Sequence, residues 1–403
     1  MVTPAPPTPP KVQWQRVAGV TAIQGAMTLG WVIYALYLPQ LLTEMGLAKE
    51  LAGVLLMIEH ALGVIIEPIT GALSDRAQWQ MGTRFTLITP GIILASALFI
   101  SLPTLVVFGK PLPWLLPVIA VLWASAMAIF RSPAMTLLFK AAPQPQLPMA
   151  ASCLTLVQQL IGALRFSVYG IILSLGPGWA FAIGSFVLLG AAAFLRWTAP
   201  PEMPQSQEST VKQPLRLPIA ALLVSVAVGL GWSLRFTFAS LGSHFTALLG
   251  SEQMGVGMLG FSLILALSAL PAGKLATHLG NTRTMIGGAI ATAALAFGLI
   301  LIAPTTLWIA GLVGMGFALS TVLNGSVPLV LSTFPSDRSG LGLGLYFGAF
   351  GGGLSFFDAI FKPLKLNLSA LVTGAGLSFI GVAVCIALVQ QLQQPTSAAA
   401  DVP

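Results

Sequence analysis

The chain has 403 residues, of which 56% are hydrophobic and 7% are charged, whereas soluble domains are about one quarter charged. So few charges exclude a soluble fold, and apolar runs long enough to cross a bilayer recur along the whole chain, which indicates a polytopic membrane protein. The 18 Lys and Arg outnumber the 11 Asp and Glu, but they stand singly or in pairs beside the apolar runs, which argues against a nucleic-acid partner.

The N-terminal stretch MVTPAPPTPP is rich in proline and uncharged. It is unlike a signal peptide, and we expect residues 1–16 to form a disordered cytoplasmic tail. The apolar runs that follow predict twelve membrane-crossing helices of about 20 residues or more. We place them near residues 17–40, 51–73, 85–108, 113–139, 149–174, 178–197, 216–240, 253–276, 284–303, 306–332, 339–361 and 367–391.

The first helix carries an amide, a hydroxyl and an indole on one face. Gln24, Thr28 and Trp31 follow the spacing i, i+4 and i+7, which places them on the same side of a helix. Sugar sites combine such donors with an aromatic ring, because a pyranose has apolar faces and polar edges. We predict substrate binding by Gln24 and Trp31, although an indole in a membrane helix also serves as a packing group.

The second helix holds three ionisable residues, which are functional candidates because charge inside a membrane is costly. His60 and Glu67 fall within about 20° of each other, and Glu59 lies about 80° to one side of Glu67. We predict that Glu59 or Glu67 carries the coupling proton, with His60 beside them. The alternative is a structural ion pair of Glu67 with Arg131 or with the loop around Asp75.

The loop after the second helix reads GALSDRAQWQMGTRF and contains Gly71, Asp75, Arg76, Gly82 and Arg84. Glycines allow close helix approach, and the acid can cap a helix or pair with an arginine. Because breaking such contacts would release one half of the molecule from the other, we predict a cytoplasmic gate here. The alternative is that these charges only fix the topology.

The fourth and fifth helices each contain an arginine, Arg131 and Arg165. A guanidinium can bind substrate hydroxyls or a carboxylate with its fixed fork of donors; it can equally neutralise a glutamate of the second helix. Gln158 shares the helical stripe of Arg165, which favours a cavity. We therefore predict substrate binding by all three.

Residues 198–215 form a proline-rich, polar linker that divides the helices six and six, as residues 17–197 and 216–391. The halves resemble each other weakly: GKLATHLGNTR follows the eighth helix as GALSDRAQWQMGTR follows the second, and Pro328 corresponds to Pro133. These similarities predict two related six-helix units, and residues 392–403 form a C-terminal tail.

The second half supplies further candidates. Trp232, Asn324 and Tyr346 are predicted to bind substrate from its helices. Arg235 and Asp358 lie toward the outer ends of their helices and are predicted to form an extracellular gate.

The positive residues predict the orientation of the chain, because cytoplasmic loops are enriched in Lys and Arg. With the N-terminus inside, the cytoplasmic segments hold Lys11, Arg16, Arg76, Arg84, Lys140, Arg196, Lys212, Arg216, Lys274, Arg283 and Arg338. The exterior loops hold Lys49, Lys110, Lys362 and Lys365. Eleven against four favours both termini in the cytoplasm.

Six plus six helices with this loop resemble the major facilitator superfamily. Within it, EPITGALSDR with the following GTRF, and the segment FRSPAMTLLFKAAPQPQLPMAASCLTL, are similar to the glycoside-pentoside-hexuronide and sucrose-transporter branch. The resemblance implies an all-α membrane fold of two pseudo-symmetric six-helix bundles. The chain departs from that branch at GTRFTL, where a richer arginine run is usual, and at Lys140, where an acid is common.

No HExxH, GxSxG or phosphate-binding GxxxxGK[ST] motif is present, so we expect no enzyme and no cofactor. The two cysteines, Cys153 and Cys385, lie inside apolar runs and indicate neither a disulfide framework nor a zinc site. We expect a proton-coupled or sodium-coupled symporter of a sugar or glycoside-like solute, monomeric, in the lipid bilayer of a bacterial inner membrane. The alternatives are an exporter of a drug or metabolite, and a non-transporting membrane protein that binds a partner or pigment.

Overall fold

The structure, a computed structural model, describes residues 11–108, 112–167, 169–199, 216–301 and 305–393, and all regular elements in these ranges are helical. The helices are α1 (Trp14–Glu44), α2 (Leu51–Met81), α3 (Phe85–Phe108), α4 (Leu115–Ala141), α5 (Leu147–Ser167), α6 (Tyr169–Ser174), α7 (Gly176–Thr198), α8 (Leu217–Leu249), α9 (Met254–Leu279), α10 (Asn281–Leu301), α11 (Thr305–Thr333), α12 (Ser339–Ile360) and α13 (Leu368–Gln393). Short 3-10 turns occupy Gln144–Gln146, Ser336–Arg338 and Lys362–Leu364.

Twelve helices of the described ranges are long and apolar enough to cross a membrane, which confirms the predicted number. Several extend beyond their predicted bounds: α2 continues to Met81, so most of the segment predicted as the loop after the second helix is helical. Glycines mark some of the ends: α2 stops at Gly82, whose φ is 69°, and α8 stops at Gly250, whose φ is 83°. Only a residue without Cβ adopts such angles at no cost.

The six long helices among α1–α7, which exclude the short α6, and the six helices α8–α13 form two bundles with the same internal packing. In the first bundle α1 packs on α5 and α7, α2 on α4, and α3 on α4 and α7. In the second bundle α8 packs on α12 and α13, α9 on α11, and α10 on α11 and α13. Each of these contacts of the first bundle therefore has its counterpart six spans later, so the fold is two pseudo-symmetric six-helix bundles, as predicted.

The bundles meet along two interfaces, α2 with α12 and α5 with α9, which the same symmetry relates. Glycines make both interfaces tight. A Cβ added at Gly71 would overlap the backbone of Gly340, and one added at Gly273 would lie 2.7 Å from the Ser152 Cβ. The helices thus touch almost backbone to backbone, as small residues allow in membrane proteins.

One face of the molecule, here called the Asp75 face, contains the start of α1, the end of α2, the start of α12 and the end of α13. Hydrogen bonds tie chain segments together there: the Gln13 amide donates to the Ala141 carbonyl (2.8 Å), and an Arg216 Nη1 donates to the Leu392 carbonyl (2.9 Å). The end of α1 and the start of α2 lie on the opposite face.

The predicted tails and linker fall largely outside the described residues. Positions 1–10, 200–215 and 394–403, with Lys110 and Lys212, are not covered. Helix α1 begins at Trp14, so the last three positions of the predicted N-terminal tail are helical, and α13 continues to Gln393. The domain boundaries otherwise stay predictions.

Candidate functional site

A cavity of about 540 Å³ lies between the two bundles and adjoins a smaller one of about 220 Å³. Both bundles line the larger cavity, through α1, α2, α4 and α5 on one side and α8, α9, α11 and α12 on the other. The predicted substrate residues that line it are Gln24, Trp31, Arg131, Gln158, Arg165 and Tyr346. The smaller cavity is lined by three ionisable residues of α2, which are Glu59, His60 and Glu67.

The larger cavity is open toward the face opposite Asp75. The lining side chains of Ala35 and Arg165 are exposed, and so is that of Gln158, although it lies in the middle of its membrane span. Toward the Asp75 face, α4 and α5 pack against α11 and α12 of the other bundle. The cavity is therefore closed at one end only.

The His60 ring stacks on Trp31, with ring centroids 5.8 Å apart and an angle of 18° between the planes. Its Nδ1 lies 2.6 Å from the Leu56 carbonyl oxygen. Because a carbonyl only accepts hydrogen bonds, the proton belongs on Nδ1, and Nε2 carries the lone pair. His60 thus contributes an acceptor to the cavity wall.

Glu59 is held by a residue that the sequence analysis did not select, Tyr34 of α1. The Tyr34 hydroxyl donates a hydrogen bond to Glu59 Oε1, and both side chains are buried. The second carboxyl oxygen, Oε2, has no hydrogen-bond partner among the residues that the structure describes. The position of Tyr34 three residues after Trp31, on the same face of α1, is the signal that would have found it.

Glu67 and Arg131 form the ion pair that was the structural alternative for Glu67. Arg131 Nη1 lies 3.3 Å from Glu67 Oε1, which joins α4 to α2. The Arg131 guanidinium also stands 4.2 Å from the centre of the Phe347 ring of α12, a cation–π contact with the other bundle. Glu67 Oε2 and Arg131 Nε lack hydrogen-bond partners within the described ranges. The pair therefore keeps polar capacity for a proton or a solute.

Gln24 and Gln158 face each other across the first bundle. The Gln24 Nε2 donates to Gln158 Oε1 at 3.3 Å, which leaves the two N–H groups of the Gln158 amide available to donate into the cavity. Both residues line the larger cavity, and the pair extends the polar wall beyond Trp31.

Two predicted substrate residues donate hydrogen bonds to backbone carbonyls outside the two cavities. The Trp232 indole donates to the Gly353 carbonyl at 2.9 Å, and the Asn324 amide donates to the Ala269 carbonyl at 2.7 Å. Neither lines the larger or the smaller cavity. Both side chains instead hold neighbouring helices of the second bundle together, because a polar group buried in a membrane protein needs a partner.

Arg235 and Asp358, the predicted extracellular gate, form an ion pair with 2.8 Å between Nη2 and Oδ2. The pair joins α8 to α12 within the second bundle. The Arg235 side chain is 39% exposed and also lines the larger cavity.

Asp75 joins the two bundles at the closed end. Arg84 Nη1 lies 2.7 Å from Asp75 Oδ1. The backbone amides of Gly340 and Leu341 donate to the same carboxylate at 2.9 and 2.8 Å. The acid thus pairs with an arginine of its own bundle and also caps the positive end of α12 in the other bundle.

The rest of the predicted gate motif surrounds this cap. Arg84 is buried and donates to Ser74 (2.9 Å) and to Ser339 at the start of α12 (3.1 Å). Gly71 packs on the backbone of α12, and Gly82 ends α2. Arg76 is exposed and takes no part in the cap.

This architecture is similar to that of known proteins. The sequence profile of the Major Facilitator Superfamily matches residues 20–357. No curated protein sequence matches the chain significantly. The chain is similar to the outward conformation of FucP, an E. coli fucose:proton symporter. The TM-score is 0.72 and the identity 13%, over 93% of this chain and 98% of that one.

Two further solved structures are similar over nearly their whole length. The proton:xylose symporter XylE gives a TM-score of 0.65 with 15% identity, over 94% of this chain and 95% of that one. The human organic anion transporter MFSD10 gives 0.66 with 15% identity, over 97% and 100%. At such low identities the likeness concerns the fold, and function has to be argued from the site.

Proposed function

The chain belongs to the major facilitator superfamily, and from this premise we propose that it is a proton-coupled symporter of a sugar or glycoside-like solute that works by alternating access. The observation that carries the proposal is the polar cavity between the bundles, which is closed toward Asp75 and open toward the other face. Rocking of the bundles about this cavity would expose it to each side in turn.

The lining of the cavity supports a sugar-like solute. Trp31 offers a ring for an apolar sugar face, and Gln24, Gln158 and Tyr346 offer hydrogen-bonding groups for its hydroxyls. The sugar:proton symporters among the similar structures agree with this proposal through their fold. Membership of the glycoside-pentoside-hexuronide branch is part of the same proposal, and it rests on the resemblance of the segments EPITGALSDR and FRSPAMTLLFKAAPQPQLPMAASCLTL.

Glu59 and Glu67 support proton coupling. Both carboxyls are buried beside the cavity, and each has one oxygen that lacks a partner within the described ranges. A proton bound at Glu67 would remove the charge that attracts Arg131, so proton binding and the state of the cavity would be linked. Sodium in place of the proton is the alternative for the coupling ion.

The test is uptake into liposomes by the purified protein, across a panel of sugars, with and without an imposed pH gradient. We expect at least one sugar to accumulate only with the gradient. Glu67→Gln and Glu59→Gln should abolish accumulation and spare equilibrium exchange, whereas Glu252→Gln, at an exposed position, should leave both unchanged. Accumulation unchanged in both test variants would remove the coupling assignment.

An exporter of a drug or metabolite is the second candidate. Phe238, Phe347 and Phe350 add a large apolar surface to the cavity, which would suit an amphiphilic solute. Movement of an amphiphilic cation, but of no sugar, would favour this candidate. A non-transporting binding protein would move no solute and would tolerate the loss of both glutamates.

We also propose a monomer in a bacterial inner membrane, with the Asp75 face toward the cytoplasm. The excess of Lys and Arg in the loops of that face supports this orientation. In this orientation the cavity opens outward.

A further inference from the structure

The charges that line the larger cavity are all of one sign. Its lining contains the guanidinium groups of Arg131, Arg165 and Arg235, and no Asp or Glu of the described residues is among the groups that line it. The glutamates of α2 lie behind it: Glu67 and Glu59 line only the smaller cavity. A solute in the larger cavity would therefore meet basic groups first.

Two of the three arginines are compensated by carboxylates. Arg131 is paired with Glu67 at 3.3 Å, and Arg235 with Asp358 at 2.8 Å. No carboxylate in the described ranges pairs with Arg165. Its guanidinium lies 4.6 Å from the centre of the Phe166 ring, a contact that leaves its charge uncompensated. The larger cavity thus carries one net positive charge.

Arg165 is well placed to meet a solute. It lies seven residues after Gln158, which puts the two side chains on one face of α5 about 10 Å apart along the axis. Gly162 lies between them on this face, and all three line the cavity. The candidate membrane span that contains Arg165 covers Gln144–Phe166, and the Arg165 side chain is exposed, so a solute can reach the guanidinium near the end of this span that lies away from the Asp75 face. The free N–H groups of Gln158 and the guanidinium therefore form one row of donors.

We infer that the solute bears an anionic group, a carboxylate or a phosphate, which binds at Arg165 with Arg235 beside it. A guanidinium that no carboxylate compensates attracts an anion, and its fork of donors fits a carboxylate or phosphate oxygen pair. The inference rests on the proposed function, since it specifies the solute class of the same cavity: an acidic sugar in place of a neutral one.

The first test measures the cavity charge without knowing the solute. A cysteine at Gly162 fits, because an added Cβ there meets nothing within 4 Å; the native Cys153 and Cys385 are replaced by serine. In detergent, the introduced cysteine reacts with an anionic reagent, methanethiosulfonate ethylsulfonate, or with a cationic one, methanethiosulfonate ethyltrimethylammonium. Each reaction rate is divided by the rate of the same reagent with free cysteine. We expect the anionic reagent to be favoured at least tenfold.

Three arginine variants then assign the effect. Arg165→Gln should reduce the preference at least fivefold, Arg165→Lys should keep most of it, and Arg283→Gln, at an exposed position on the Asp75 face, should leave it unchanged. A ratio equal to that of free cysteine, or an equal ratio in Arg165→Gln, would overturn the inference. Retention of the preference in Arg165→Lys separates the charge from a purely structural role.

The second test uses matched solutes in liposomes: glucose with glucuronate, and propane-1,2-diol with lactate. Each pair differs by oxidation of one CH2OH to a carboxylate. We expect the anionic member to be transported at least tenfold better, with this advantage lost in Arg165→Gln. Transport of lactate alone would contradict the sugar proposal and support the anion inference. Equal transport of glucose and glucuronate would support the sugar proposal and contradict the anion inference.

Discussion

Neutralising Asp75 should destabilise the conformation seen in the structure by a predictable amount. Its carboxylate is the contact that holds Arg84 of one bundle and the first amides of α12 in the other. Both side chains of the ion pair are nearly buried, at 5% and 8% exposure for Arg84 and Asp75. Asp75→Asn keeps the size of the side chain and one acceptor, but it leaves the Arg84 charge without its counterion.

Removing one partner of a buried ion pair costs about 3–5 kcal/mol. If the bundles separate at the Asp75 face in the second conformation, that conformation does not make the contact, and the whole cost falls on the closed one. About 3 kcal/mol changes the ratio of the two conformations by roughly 150-fold. A protein that is almost entirely closed at this face would then populate the open conformation measurably.

The assay is a distance distribution between two spin labels on the Asp75 face. Gln80 at the end of α2 and Ser332 at the end of α11 are exposed and belong to different bundles, and the native cysteines are replaced first. We expect a longer distance to gain population in Asp75→Asn. Asp337→Asn is the matched control, because Asp337 lies on the same face but is 41% exposed and 3.9 Å from Arg338. An unchanged distribution in Asp75→Asn, or an equal change in the control, would refute the reasoning.

Three stability predictions can be checked by thermal unfolding of the purified protein. Gly344→Ala should lower the free energy of unfolding by about 1–3 kcal/mol, because a Cβ there would overlap the α2 backbone. Gly381→Ala, where a Cβ meets nothing within 4 Å, should change it little. Tyr34→Phe should lower the free energy of unfolding by about 1–3 kcal/mol, because it leaves Glu59 without its donor. If the double variant with Glu59→Gln lost the sum of the two single losses, this reasoning would be contradicted. Gly82→Ala should destabilise by about 1 kcal/mol and Gly82→Asn by less, because φ is 69°; equal effects would argue against backbone strain.

The fold was predictable because the bilayer leaves few alternatives. Length and hydropathy fix where helices cross, and the division at the linker suggests two halves. The tightness of the α2–α12 interface was less accessible. The glycines of α12 predict close packing in general, but the sequence does not say that Gly340 faces Gly71 and that Gly344 faces the backbone of Glu67. Such pairings depend on which helices meet, and helical periodicity carries no information about that.

The same limit explains the mixed outcome at the site. Periodicity within one helix placed His60 and Glu67 on a common face, and both line the smaller cavity. It could not identify Tyr34 as the partner of Glu59, because that contact joins two helices. Asn324 and Trp232 show a related limit: a polar atom within a membrane span can donate to a backbone carbonyl of a neighbouring helix, and periodicity does not distinguish this from binding a solute.

The three acids of α2 lie eight residues apart, at Glu59, Glu67 and Asp75, so each is rotated by about 80° from the one before. The rotation gives each acid a different partner helix. Glu59 meets α1, Glu67 meets α4, and Asp75 meets the start of α12. One helix therefore connects both proposed proton sites with the cap that closes the Asp75 face.

This arrangement gives a physical route from proton binding to rocking under the proposed function. A proton on Glu67 would weaken its hold on Arg131, whose guanidinium also contacts the Phe347 ring of the other bundle. Gly344, one turn before Phe347, packs on the backbone of Glu67 itself. A change at Glu67 would thus act directly on the α2–α12 interface, and where the two backbones touch there is little free space for a local adjustment. Coupling in this protein then needs no long chain of intermediates: the proton site and the moving interface share a residue.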